Sequence, residues 1–253
     1  MPKNTTFVSF LLDETGSMES VHAKTVDGFN SYVETLQKDA ADMVFSFVSF
    51  NSNETNQRYI AEPLDAVAPL SHAAYCPDAM TPLIDASVKI IKATDDAVTQ
   101  RGDNPNVVIV ILTDGHENCS VEYDAADLAA LIKEKTALGW QFVFLGADLD
   151  AFSAARAAGF NIDARHTVSY RKHRSADVFA SSAVNLAKYS YSGDPDALAY
   201  SQAQRRRVED THTEKHLGSA VKPRPGVAPT NRPTRTRTRQ PSAVGDIDLR
   251  VKV

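Results

Sequence analysis

The chain has 253 residues, of which 43% are hydrophobic and 23% are charged, and its formal net charge is −5. These are ordinary values for a globular protein, and the two cysteines exclude a disulfide-rich scaffold. No apolar run approaches the ~20 residues that a membrane helix needs, and the first residues lack the features of a signal peptide. The sequence therefore predicts a cytoplasmic protein with reduced thiols.

The charge is distributed unevenly along the chain. Residues 201–253 hold 12 Lys and Arg against 5 Asp and Glu, a net charge of +7, so residues 1–200 carry −12. The basic segment contains no aromatic residue, and such a segment buries too little apolar surface to offset the entropy of ordering it. The sequence predicts one domain over residues 1–200 and a flexible basic tail over residues 201–253.

Strands and helices are predicted to alternate along the first 200 residues. Apolar runs and alternating patterns predict six strands, which are Thr6–Leu12, Met43–Phe50, Arg58–Val67, Val107–Leu112, Trp140–Leu145 and Thr167–Tyr170. Helical spacing and capping residues predict the intervening helices, which are Val21–Leu36, one opened by Thr81 and Pro82, Ala125–Leu138, one from Asp150 to Gly159, and one starting at Ser175.

This alternation predicts an α/β fold with an open, doubly wound sheet and helices on both faces. Val107–Leu112 is the most apolar strand and is typical of a central parallel strand covered on both sides. Arg58–Val67 is expected at the edge, as one antiparallel strand, because Pro63 cannot donate a hydrogen bond inside a ladder. The rest of the sheet is expected to be parallel.

Candidate ligand residues follow the predicted strands. Ligands of open α/β sheets bind outside the carboxyl ends of the strands, and three loops at that edge carry side-chain oxygen donors. The candidate donors are Asp13, Thr15, Ser17, Thr81 and Asp114. Two carboxylates and three hydroxyls are hard ligands that suit Mg²⁺ or Mn²⁺, and Ca²⁺ less well because the carboxylates are few.

These residues resemble the metal-ion-dependent adhesion site (MIDAS) of the von Willebrand factor type A (vWA) family. That pattern is Asp-x-Ser-x-Ser, then a Thr, then an Asp. The corresponding residues here are Asp13-Glu14-Thr15-Gly16-Ser17, Thr81 in MTPL and Asp114 in TDG. The resemblance extends from about Thr6 to Tyr189, and Thr15 keeps a hydroxyl where Ser is usual.

The resemblance implies a sheet of order 3-2-1-4-5-6. It also implies that Thr15, Ser17 and Thr81 contact the metal more directly, with the two aspartates often acting through water. Intracellular members are commonly interaction modules, and several work beside AAA+ ATPases, as in magnesium chelatase and MoxR-type systems, or in stress-resistance systems such as tellurium-resistance-like clusters.

We therefore expect a protein-interaction module that binds an acidic side chain of a partner through the metal. An AAA+ ATPase is one partner that the resemblance suggests, and no membrane partner is expected. Residues beside the ligands are expected to contact the partner, with Glu14 pointing to solvent. The expected contact residues are Glu14, Gly16, Met18, Gly115, His116 and Asp148.

The motifs of several enzyme classes are missing. A haloacid dehalogenase-type phosphatase needs Asp where Thr15 stands, and the sequence contains no P-loop, GxGxxG, HExxH or GxSxG motif. No His or Lys is evidently placed as a base, so the sequence favours a binding module over an enzyme. A metal-assisted hydrolase or phosphotransferase stays open, because a bound ion can activate water.

Two further features leave alternatives open. Cys76 and Cys119, with nearby histidines, would form a zinc or disulfide site only if they converged. The arginines of the tail suggest a nucleic-acid-associated protein, although the tail lacks aromatic residues that could stack on bases. Residues 246–253 alternate apolar and charged residues, which predicts a short strand that could pair with a sheet edge.

Overall fold

Six strands form one sheet in the computed structural model, which describes residues 5–217. The strands are β1 (Thr6–Asp13), β2 (Met43–Phe50), β3 (Thr55–Pro63), β4 (Asn106–Thr113), β5 (Gln141–Ala147) and β6 (Thr167–Tyr170). Their order is β3-β2-β1-β4-β5-β6, and every neighbouring pair is parallel except the antiparallel pair β2–β3. The predicted doubly wound sheet and its order are confirmed.

Seven helices accompany the sheet within the described part of the chain. They are α1 (His22–Asp39), α2 (Leu83–Arg101), α3 (Ala125–Ala137), α4 (Ala151–Ala157), α5 (Ser175–Ser192), α6 (Gln202–Arg207) and α7 (Glu214–Leu217). Within residues 5–217 no helix combines the length and the apolar character needed to cross a membrane.

The core lies in two layers, one on each face of the sheet. Side chains of a strand alternate between faces, so Phe10 of β1 packs with Phe29 of α1 and Phe179 of α5 on one side. Leu11 joins the opposite layer with residues of α2, α3 and α4. A Cβ at Gly28 would lie 2.3 Å from the Phe179 ring, so glycine is required where α1 meets α5.

Most predicted elements agree with the structure to within three residues at each end. β3 is the antiparallel edge strand, but it ends at Pro63, and residues Leu64–Ala66 form a 3₁₀ turn instead of continuing it to Val67. The helix α2 begins at Leu83, two residues later than the predicted cap at Thr81. Its first amides are satisfied from the loop after β4 instead, because Glu117 Oε2 accepts from Ile84 N at 2.8 Å.

The predicted domain boundary at residue 200 comes too early. The helix α6 follows it directly, and Val208 is fully buried against the main core. Arg205, counted as part of the basic tail, is 1% exposed and pairs with Asp210 at 2.7 Å. Its guanidinium also donates to four backbone carbonyls, which are those of Ala164, Arg165, Thr167 and Tyr200. The predicted strand at 246–253 lies outside the described residues.

Replacing Arg205 with Ala is expected to destabilise the protein by about 3–5 kcal/mol, because it leaves a buried carboxylate without its cation. Arg206→Ala, at the exposed neighbouring position, is the control and should change the free energy of unfolding by less than about 0.5 kcal/mol. Equilibrium unfolding in urea measures both values. Equal effects of the two substitutions would show that the Arg205–Asp210 pair does not contribute to the free energy of unfolding.

Candidate metal centre

Three loops meet at the carboxyl edge of the central strands. β1 ends at Asp13, which is fully buried, and the chain then turns through Thr15 and Ser17 into a 3₁₀ helix. β4 ends immediately before Asp114. Thr81, which is 3% exposed, lies just before α2.

The hydroxyls of the first loop lie beside the carboxylate of the β4 loop. Thr15 Oγ1 is 3.3 Å from Ser17 Oγ, and Ser17 Oγ donates to Asp114 Oδ1 at 2.5 Å. Neighbouring oxygens of an octahedral Mg²⁺ site, with bonds of 2.0–2.1 Å, lie about 2.9 Å apart. The observed separations bracket that value, so these three side chains are close to the spacing that a shared ion requires.

Asp13 is held by hydrogen bonds on both carboxylate oxygens. Oδ1 accepts from Thr15 N at 2.8 Å, and Oδ2 accepts from Thr113 Oγ1 at 2.5 Å. Burial raises the pKa of Asp13 to about 6, although both hydrogen bonds lower it, and the negative charge of Asp114 adds to the increase. The centre therefore contains a desolvated carboxylate whose charge the protein only partly stabilises.

Thr81 is joined to the β4 loop by its backbone and by a close side-chain approach. Thr81 N donates to Asn118 Oδ1 at 2.9 Å, and Asn118 N donates to Thr81 O at 3.2 Å. A Cβ at Gly115 would lie only 2.9 Å from Thr81 Oγ1. The glycine thus leaves the space in which the Thr81 hydroxyl lies next to the loop that carries Asp114.

The expectation that Glu14 points to solvent is wrong. Glu14 is 2% exposed, and its carboxylate accepts from Ser49 Oγ, from Cys76 N and from Arg58 Nη2, the last at 3.1 Å. The side chain turns inward because β2 and β3, which carry Ser49 and Arg58, lie beside the end of β1, while the segment before α2 supplies Cys76 N. Glu14 therefore joins the loop to the sheet and is not available to a partner.

The other expected contact residues divide into accessible and inaccessible positions. Met18 is fully buried in the core, so its selection as a partner contact is also wrong. Gly16 and His116 are exposed, and Gly115 is partly exposed. Asp148 is exposed, but its Oδ1 accepts from the backbone of Lys172 at 3.3 Å.

Lys172 is a residue of this centre that the sequence interpretation missed. It follows β6 by two residues, and its Nζ lies 2.6 Å from Asp114 Oδ2 and 3.1 Å from Ser17 O. The Asp114 side chain has no exposed surface, while that of Lys172 is 24% exposed. Applying the strand-end rule to β6 as well would have indicated the basic run at residues 171–174, which contains Lys172.

The cysteine alternative finds no support in this part of the chain. Cys76 and Cys119 are both free, and residues 5–217 contain no group of three or more His, Cys, Asp or Glu side chains that could hold a metal. The candidate centre differs from such clusters because most of its donors are hydroxyls.

Several solved structures are similar to this chain. A von Willebrand factor type A structure from Catenulispora acidiphila has a TM-score of 0.50 at 15% identity, covering 70% of this chain and 41% of its own. Proximal thread matrix protein 1 from the mussel byssus has a TM-score of 0.47 at 12% identity, covering 70% and 44%. The manganese-loaded TRAP protein of Plasmodium vivax has a TM-score of 0.46 at 11% identity, covering 69% and 71%.

The match to the Catenulispora structure agrees with the strand order and the single antiparallel edge strand. The chain has a vWA-like fold. It spans less than half the length of the first two structures named. No protein-family model matches the sequence, and no curated protein is significantly similar to it.

The donor set of this vWA-like domain fits a divalent ion. Its oxygens come from three loops that hydrogen bonds hold together, and one of them, Asp114 Oδ2, is buried with only an ammonium beside it. The residues that would hold the ion are Asp13, Thr15, Ser17, Thr81 and Asp114.

Asp13→Asn is expected to stabilise the metal-free domain by about 1–3 kcal/mol at pH 8, because it removes a buried charge. An Asn can keep the bond from Thr15 N, and the Thr113 hydroxyl has Gly115 O at 3.2 Å as another acceptor. Urea unfolding in EDTA measures the difference.

The pH dependence of this difference has a definite sign. A carboxylate whose pKa is raised from 3.8 to about 6 on folding costs stability when ionised, so the advantage of the Asn variant approaches its full size about one pH unit above that pKa. It should shrink as the pH falls from 6 towards 4. A less stable Asn variant at pH 8 would contradict the expectation.

Proposed function

We propose that this vWA-like domain is a metal-dependent protein-interaction module. Asp13, Thr15, Ser17, Thr81 and Asp114 hold Mg²⁺ or Mn²⁺, and the site binds an acidic side chain of a partner protein. The observation that carries the proposal is the spacing of Thr15 Oγ1, Ser17 Oγ and Asp114 Oδ1. When bound, the ion supplies a positive centre for the partner carboxylate.

The residues of the chain prepare this edge for binding. Asp13 orients Thr15 through the bond to its backbone amide, and this bond directs the turn that carries both hydroxyls. Mg²⁺ takes six ligands in an octahedral arrangement, so five protein donors leave a coordination position for water or for a carboxylate from another protein. Ser17 and Gly16 are exposed, which keeps an approach open from solvent.

An exposed apolar side chain lies next to the donors. Met80 directly precedes Thr81 and is 55% exposed, although its backbone is fixed to Ser52 by two hydrogen bonds. A flexible methionine on a fixed backbone adapts to varied apolar surfaces. Met80 and His116 are therefore the proposed contacts around the ion.

Binding is proposed in preference to catalysis. The sequence lacks the motifs of several enzyme classes, and none of the five donors is a histidine, lysine or cysteine that could act as a base or nucleophile. We also propose a cytoplasmic location, supported by the two unpaired cysteines. An AAA+ ATPase is proposed as one class of partner, on the family resemblance alone.

Metal binding is the first property to measure. Titration calorimetry with Mg²⁺ and with Mn²⁺ is expected to show one site in the wild type and none in Asp114→Asn, which removes a carboxylate donor. Glu19→Gln removes an exposed carboxylate from the same loop and is expected to bind as the wild type does. Equal affinities in all three proteins would contradict the proposed ligands.

Partner binding is tested with the full chain as bait. The wild type is used in Mg²⁺ and in EDTA, and the variants Asp13→Asn and Glu19→Gln are used in Mg²⁺. A partner retained only by wild type and Glu19→Gln in Mg²⁺ is expected, and replacing its Asp and Glu residues one by one should identify the carboxylate. Nucleic acid retained in EDTA, and lost on truncation after residue 217, would favour the alternative that the tail binds it. Substrate turnover in Mg²⁺ would favour a hydrolase.

A further inference from the structure

We propose that Lys172 lowers the affinity of the metal centre for divalent ions. Its ammonium forms an ion pair with Asp114, and a divalent ion must compete with this pair in order to bind. The inference rests on the proposed function, because it concerns the same five donors. It assigns a role to a residue that lies outside the MIDAS-like pattern and follows a different strand.

Both oxygens of the Asp114 carboxylate are already engaged. Ser17 Oγ donates to Oδ1, while Lys172 Nζ lies 2.6 Å from Oδ2. The same ammonium donates to Ser17 O at 3.1 Å and is 3.4 Å from Ser20 Oγ. Lys172 therefore joins two of the loops that supply the donors, and a cation already stands beside the buried carboxylate.

The backbone of Lys172 is fixed on both sides, which directs its side chain towards the centre. Lys172 N donates to Asp148 Oδ1 at 3.3 Å, and Ser175 Oγ donates to Lys172 O at 2.7 Å. Asp148 is itself held by a bond from its amide to Tyr170 O at 2.7 Å. This arrangement gives Asp148 a role that differs from the expected partner contact, since it positions the lysine.

The charges explain why Lys172 lowers the affinity for a divalent ion. Asp13 and Asp114 attract the ion, but the ammonium cancels one of their two charges. The ion must either displace the ammonium or bind beside it, and in both cases the repulsion between the two cations weakens binding. The lysine stem is flexible and its side chain is 24% exposed, so the ammonium can leave towards solvent.

Lys172→Met tests the inference, because methionine keeps a long side chain and removes the charge. Arg171→Met is the matched control, since it removes one positive charge from the adjacent exposed position, where Arg171 lies 3.8 Å from Asp148 and does not pair with Asp114. Titration calorimetry with Mg²⁺ is expected to show about tenfold tighter binding by Lys172→Met, a difference of about 1.4 kcal/mol. Arg171→Met should stay within about twofold of the wild type, as should Lys172→Arg, which retains the charge.

Thermal unfolding in EDTA supplies a readout that does not depend on metal. Lys172→Met leaves the Asp114 charge buried without its cation, so its unfolding midpoint should fall below that of Arg171→Met. Addition of Mg²⁺ should then raise the midpoint of Lys172→Met by more than that of the wild type.

The outcomes separate this inference from the proposed function. Binding by the wild type with no gain in Lys172→Met, and equal midpoints of the two variants in EDTA, would overturn the role of Lys172 alone. Binding by Lys172→Met but not by the wild type would support the role of Lys172 and overturn the proposal that the unmodified chain binds the metal. Absence of Mg²⁺ and Mn²⁺ binding in every protein would overturn the metal centre and the role of Lys172 together.

Discussion

Burial of the Asp13 carboxylate at the end of β1 is the constraint on which this edge of the sheet depends. β1 lies between β2 and β4, so the carboxylate has no access to solvent and needs fixed hydrogen-bond donors. Thr15 N and Thr113 Oγ1 provide them, and the hydroxyl of Tyr75 donates to the carbonyl of Asp13. These bonds join the β1 loop, the end of β4 and the segment before α2.

The neighbouring acidic residues are stabilised by pairing. Glu14 is matched by Arg58 from the edge strand, and Asp114 by Lys172 from beyond β6. Glu117 accepts from backbone amides at the start of α2 and within its own loop, including those of Ile84 and Cys119. Glu14, Asp114 and Glu117 are thus each matched by a cation or by backbone amides, although all three lie at an edge that is rich in acids.

This arrangement combines rigidity with an unfavourable charge. Each donor loop is bonded to another loop or strand, so the donors are positioned before any ligand arrives, and little ordering entropy remains to be lost on binding. Burial raises the pKa of Asp13, which means that the ionised carboxylate lowers the stability of the folded state. A positive ion bound beside it would offset this loss of stability. Buried groups with a strongly perturbed pKa cluster at functional sites, and the hydrogen-bonded frame around Asp13 allows the domain to tolerate this one.

Local pattern was sufficient for most of the fold. Continuous apolar runs identified β1 and β4, Pro63 indicated the edge strand, and Asp150 and Gly159 bounded α4. Each of these sequence patterns extends over only a few residues. The apolar runs reflect burial, Pro63 reflects the lack of an amide donor, and Asp150 and Gly159 act as helix caps, so residues close in sequence determine all of them. The cap of α2 was assigned to Thr81 incorrectly, because the side chains that accept from its first amides, Glu117 and Ser120, come from a loop distant in sequence.

The sequence by itself determined the types of donor and the loops that carry them, because the carboxyl ends of parallel strands meet at one edge in any sheet of this kind. Only the tertiary structure decided which charges are free. Glu14 turns inward to Arg58, 44 residues away, Lys172 reaches the carbonyl of Ser17 across 155 residues, and Arg205 is buried instead of belonging to the tail. Such pairs depend on which loops meet in space, and hydrophobic periodicity contains no information about that.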